Sequence, residues 1–178
     1  VAPGPPPAAH SIVVSSVDSL PMAMVGEIYR QALQRYGEAA ESGRSVPDLS
    51  AALRELDAGD ATVLPEVSAE LLERFNPSST AQPDPETLFK ALSESLPNGL
   101  SVGDFALATD QAVTSKTGTA RNIVPLYRTG ELDDNALLAL NKVAGELTTP
   151  DLFDLCDKER HGAKRADIVS NWLDQHGF

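Results

Sequence analysis

The sequence predicts an α/β protein: a three-layer αβα sandwich around a mostly parallel sheet, with a helical C-terminal part. Short apolar runs rich in β-branched residues alternate with amphipathic segments of 3.6-residue period, the pattern of sheets whose connections are helices. Leu49 to Phe75 is the clearest instance, reading as helix, tight turn, buried strand, corner and helix. The last fifty or so residues hold only helical patterns, the first two opened by Asp and Thr-Pro-Asp start signals.

Val1 to His10, VAPGPPPAAH, is Pro/Ala-rich and reads as a flexible linker, and residues 11–178 read as one α/β domain. Ser11 to Ser15 is a first strand, and Ser16-Val-Asp18-Ser19 is a polar loop. Pro21 then suits a first helical turn, with Asp18 or Ser19 as the cap. Val25, Ile28, Tyr29, Ala32, Leu33 and Tyr36 make the buried face of that helix, and Gly37 ends it. Glu38 to Arg44 has weak strand character with a Ser42-Gly43 turn.

Leu49, Ala52, Leu53 and Leu56 form the next helical stripe, and Asp57-Ala-Gly59-Asp60 stops it, because Gly accepts the left-handed cap. Ala61 to Leu64 is a core strand that Pro65 is expected to stop, which leaves Glu66, Val67 and Ser68 at a strand's carboxyl end, where ligands bind in open α/β sheets. Asn76 to Pro83 is a loop, Asp84-Pro85-Glu86 opens a helix with Leu88, Phe89, Leu92 and Leu96 inside, and Leu100 to Val102 is a strand. Between Phe105 and Ala120, Ala112 to Thr114 is a short strand candidate after the polar cluster Thr109-Asp110-Gln111. Lys116 to Asn122 (KTGTARN) reads as a turn. Ile123 to Tyr127 is a strand whose Pro125 favours an edge or crossing position. Helices follow from Asp133 or Asp134 to Leu147, from Thr149-Pro150-Asp151 onward, and from Lys164 to Gln175, with Trp172 in the last buried stripe.

The charge balance narrows the function. Lys+Arg number 14 against 26 Asp+Glu, a net charge of −12, which speaks against nucleic acid as a partner. The single cysteine, Cys156, excludes an internal disulfide and reads as a small buried hydrophobe. His10, His161 and His176 are scattered and read as surface residues, so no metal site is expected. No phosphate-binding glycine loop, nucleophile elbow or CxxC motif occurs, and no cofactor is expected. Glu66 with Asp110 is the one carboxylate pair worth testing. Without a catalytic constellation, binding outranks catalysis, and the chain is expected not to be an enzyme.

Several pieces match one family in its own order: Ile12 to Ser16, GEIYRQAL (Gly26 to Leu33), AALRELDAGDATVLPEV (Ala51 to Val67), ATDQ followed by VTSKT (Ala108 to Thr117), LLALNKVAGELTTPDL (Leu137 to Leu152) and DIVSNWLDQHGF (Asp167 to Phe178). Through them the chain resembles the substrate-binding proteins of ABC importers for glycine betaine, choline and related osmoprotectants. Those proteins have two lobes. Here the chain passes from Asp110-Gln111 through KTGTARN to a return strand, so the resemblance implies a periplasmic-binding-protein-like fold reduced to one lobe. The family's strand ends Pro-Glu-Tyr where this chain has Pro65-Glu66-Val67, and aromatics are only 5% of the residues. This departure bears on gripping a quaternary ammonium through aromatic faces.

The resemblance implies a transport role in binding a small quaternary ammonium solute, with a membrane permease or another protein as partner. It also implies an extracytoplasmic place, secreted or lipid-anchored. Ser15, Ser16 and Asp18 from the first loop, Glu66 and Ser68 from the corner, and Thr109, Asp110 and Gln111 from the crossover are the candidate ligand-binding residues. A cap, turn or hinge role stands beside each. The alternative function is a single-lobe derivative that has lost solute binding and serves as a protein-interaction or dimerising module, including a homodimer that completes its site.

Overall fold

The computed structural model describes residues 11–79, 84–109 and 121–178. In chain order the elements are β1 (Ile12–Val17), α1 (Leu20–Arg35), β2 (Ala40–Val46), α2 (Leu49–Ala58), β3 (Val63–Val67), α3 (Ser68–Phe75), α4 (Pro85–Ser95), β4 (Leu100–Val102), β5 (Ile123–Arg128), α5 (Asp134–Glu146), α6 (Thr149–Arg160) and α7 (Arg165–Gln175). The strands form one sheet in the order β2-β1-β3-β5-β4. β1 lies parallel to β2 and β3, and β5 runs antiparallel to β3 and β4, so β5 alone opposes the common direction. Two of the strand pairs are parallel and two antiparallel, so the sheet is mixed rather than mostly parallel.

Strand alternation sends successive side chains to opposite faces. Ile12, Val14, Val63, Val67 and Ile123 join a larger core built with α1, α5, α6 and α7. Leu64, Val124 and Leu126 join a smaller core with α2, α3 and α4. This is the three-layer arrangement. Local signals hold the helices in place. Ser19 caps α1 by accepting from the Met22 N–H, Asp48 caps α2, Asp84 caps α4 and Asp133 caps α5. Gly59 closes α2 at φ 79°, a left-handed conformation that costs a glycine nothing sterically. The cap of α6 is Thr148, one residue earlier than the sequence indicates.

Three strand expectations are corrected. Pro65 does not stop β3; it lies inside the strand, directly opposite Pro125 of β5. Two residues without N–H groups can face each other only at a non-hydrogen-bonded pair of an antiparallel ladder, where neither is asked to donate to the other. β5 lies inside the sheet rather than at its edge, and Pro125 is tolerated because its nitrogen turns toward the β4 side just where that strand's pairing has ended. Pro125 still accepts through its carbonyl from the Gly103 N–H at 2.9 Å, where β4 has already ended.

The third correction concerns Ser42-Gly43, which is not a turn. The β1–β2 register passes from Val14↔Ser42 to Ser16↔Ser45, so β2 carries one extra residue there, a bulge. A Cβ on Gly43 would sit 2.2 Å from Ser15 Oγ and 2.7 Å from Val13 Cγ1, so only glycine fits. β1 itself extends past the expected Ser15 to Val17.

Candidate functional site

The carboxyl ends of β1 and β3, the start of β5 and the N-termini of α1 and α3 lie at one edge of the sheet. Ser15, Glu66, Ser68 and Thr109 are the buried polar residues among those described, and all four are residues singled out from the sequence. Burying hydroxyls and a carboxylate is costly unless they find partners, so their place at the strand ends calls for a reason.

Ser15 and Ser16 point to opposite faces of β1. Ser16 meets α1, where Gly26 lets the helix approach: a Cβ there would lie 3.6 Å from Ser16 Cβ. Ser15 projects toward the smaller core beside Gly43, and its Oγ has no hydrogen-bond partner among the described residues. Asp18 is exposed, and its N–H donates to Val46 O at 2.7 Å, which ties the loop to the end of β2. Glu66 is 2% exposed and lies opposite Val124, on the same face of β3 as Leu64. It immediately precedes Val67, the N-cap of α3, which offers that helix no side-chain cap. Val67, where the resemblance places an aromatic, is fully packed into the larger core.

Ser68 clamps the returning strand. Its N–H donates to Asn122 O at 2.8 Å, and its Oγ accepts from the Asn122 N–H at 3.1 Å. Asn122 in turn donates through Nδ2 to Ala106 O at 3.0 Å. Thr109 lies at the α6 N-terminus, its N–H donating to Thr149 Oγ1 at 3.0 Å. Ser15 and Glu66 thus share one face, Ser68 and Thr109 lie at the seams on either side of the β5 start, and Ser16 faces away. Asp110 and Gln111 lie outside the described residues, as do the Ala112–Thr114 strand, the Glu66–Asp110 pair and most of the KTGTARN turn. Among the described residues, no group of three or more His, Cys, Asp and Glu side chains could hold a metal ion.

No protein-family model matches the chain, and no curated protein matches it by sequence. Solved structures do match. Apo YehZ from Escherichia coli superposes with a TM-score of 0.77 at 11% identity, over 94% of this chain and 99% of that one. A glycine betaine/carnitine/choline ABC transporter structure gives 0.77 at 8% identity over the same shares. Lactococcal OpuAC, closed and complexed with glycine betaine, gives 0.52 at 12% identity over 94% of this chain and 96% of that chain. The likeness is one of fold. The chain matches a periplasmic-binding-protein-like α/β fold in the form of a single lobe.

Tyr29 and Trp172 belong to the larger core, as expected, and burial pushes the Tyr29 phenol well up. Cys156 is buried, and desolvation raises its thiol, so it behaves as the small hydrophobe its spacing indicated. His176 is more engaged than a surface histidine. Its ring stacks on Trp172 at 4.2 Å between centroids, and Nδ1 lies 3.0 Å from Glu146 Oε2. Trp172 Nε1 donates to Asp151 Oδ2 at 3.1 Å. The i, i+4 spacing of Trp172 and His176 was the sequence signal for that stack. A polar cleft of about 400 Å³ between α6 and α7 lies beside it, lined by Asp154, Lys158 and Asn171 among others.

Proposed function

We propose that the chain is a non-catalytic solute-binding domain of an ABC importer system, taking a small quaternary ammonium compound of the glycine betaine or choline type. On this reading it works outside the cytoplasm, secreted or held to the membrane by a lipid anchor, with a membrane permease as its partner. Among the described residues no helix is long and apolar enough to cross a membrane.

The observation that carries the reading is the pairing of Glu66, a buried carboxylate, with the α3 N-terminus that begins two residues later without a side-chain cap. A zwitterion such as glycine betaine carries one charge for each. Its ammonium matches the Glu66 carboxylate, and its carboxylate matches the positive end of the α3 helix dipole. Ser15, Asp18, Ser68 and Thr109, with Asp110 and Gln111, complete the proposed site, while Ser16 faces α1 on the other side of the sheet. The fold likeness to binding proteins, one of them holding glycine betaine, supports the same reading.

Titration calorimetry with glycine betaine, choline and carnitine tests it, run beside a solution mass measurement. Expected is binding of at least one ligand, weakened about tenfold in Glu66→Gln, since one close charge–charge attraction near a protein surface contributes about 1–4 kcal/mol. A monomer that gives no heat with any ligand overturns the reading. A second reading, a lobe that has become a dimerising or protein-interaction module, draws on Leu107, 68% exposed beside the Thr148 cap of α6. It predicts no heat together with a doubled mass or a protein partner.

A further inference from the structure

A cleft of about 380 Å³ opens where β4 ends, between α4 and α5, lined by Phe89, Asp104, Phe105, Asn141, Ala144 and Gly145. We infer that this cleft and the α5 face beside it form a docking surface for a protein partner that presents an apolar ridge carrying a basic side chain.

The apolar part rests on what is left uncovered. Leu107 and Leu138, 68% and 60% exposed, are the exposed large hydrophobic residues among those described. Neither lines the cleft, but each is near a lining residue along the chain. Leu107 lies two residues beyond Phe105, and Leu138 precedes Asn141 by three residues and Gly145 by seven, which puts all three on one face of α5. Ala144 and Gly145 keep that face low, so another backbone can come close. Large exposed apolar side chains gathered around a concave, small-residue floor mark a contact site rather than ordinary surface.

The basic part rests on charge. Asp104 is exposed at the cleft and is the only charged residue lining it among the described residues. The nearest cation on α5, Lys142, is turned away: its Nζ donates to Gly177 O and lies 4.7 Å over the Phe178 ring. The whole chain carries −12, which steers a basic partner toward it and opposes a second copy. A small organic cation fits less well. Phe89 and Phe105 pack on each other at 5.5 Å with a 55° tilt, so their faces do not form a cage, and two outlying leucines would add nothing to its hold.

The test is an amide-resonance titration of the isotope-labelled chain with three short synthetic peptides: an amphipathic Leu/Arg helix former, its Leu/Glu counterpart, and an Arg/Ser peptide of equal charge. Expected are shifts from the Leu/Arg peptide confined to residues 104–107 and 138–145, with affinity lowered about tenfold by Leu138→Ser, the size of a modest interface anchor. Asp104→Asn is expected to lower it about threefold and to flatten its salt dependence. Leu138 is exposed, so its variant folds even if a Phe105→Ala variant does not. Equal binding of the Arg/Ser or Leu/Glu peptide, shifts scattered over the acidic surface, or no shifts at all overturns the inference. So does a concentration-dependent doubling of mass that broadens these same resonances, since the occupant is then a second copy. Unchanged glycine betaine calorimetry in Leu138→Ser separates this surface from the solute site.

Discussion

The two faces of the sheet are built differently. The face under α1, α5, α6 and α7 buries a continuous apolar core in which Met24, Ile28, Leu33 and Leu140 are shut off from solvent. The face under α2, α3 and α4 has a smaller core, and it is toward this face that Ser15 and Glu66 project from the strands. One face spends its strand positions on stability. The other keeps a hydroxyl and a carboxylate where apolar side chains would stabilise more, as functional sites commonly do.

The comparison is sharpened first by core truncations. Leu140→Ala on the larger face is expected to cost about 4 kcal/mol, and Leu92→Ala on the smaller face nearer 2–3 kcal/mol, read by denaturant unfolding. Both leucines are fully buried, so the gap measures how far each surrounding can collapse. Equal losses would remove the distinction. Next is the bulge. Gly43→Ala forces a Cβ against Ser15 Oγ and is expected to cost about 3 kcal/mol, in the range of overpacking. Adding Ser15→Ala should recover part of that, because it removes the nearer clash and leaves the one with Val13. A double mutant no better than the single one would show that Val13 alone sets the constraint.

Smaller effects come from the helix caps of the two faces. Asp133→Ala, at the start of α5 on the larger face, is expected to cost about 1 kcal/mol by thermal or denaturant unfolding. On the smaller face, Asp84 accepts from the hydroxyl and the N–H of Thr87, which holds its carboxyl below the usual aspartate range. A carboxyl depressed in the folded state stabilises above the unfolded value and loses that contribution as pH falls through the folded one. Asp84→Ala should therefore be less stable than the parent at neutral pH, with the difference closing in acid below the ordinary aspartate range. A difference that persists unchanged to low pH would assign the effect to helix propensity rather than to the cap.

Much of this was legible residue by residue. The Ser19, Asp84 and Asp133 caps, the Gly59 stop and the helical stripes follow from interactions within one turn, so the sequence carries them locally. The neighbourhoods of the strand ends were legible too, since each borders a helix start, although β1 runs on to Val17 and β3 to Val67. That is why Ser15, Glu66, Ser68 and Thr109 could be singled out before their burial was known. What could not be read was pairing. Pro65 looks like a stop and Pro125 like an edge signal until the two are found opposite each other. Gly43 looks like a turn until Ser15 is seen to occupy the space of its missing side chain.

The sequence by itself determined the α/β class, the order of the elements and most of their ends, because these depend on neighbours three or four residues away. Only the tertiary structure decided which face each polar residue enters, that β5 reverses inside the sheet, and that Phe89, Phe105 and the outer face of α5 meet around one cleft. Those facts depend on contacts between residues far apart in the chain, and no local preference encodes them.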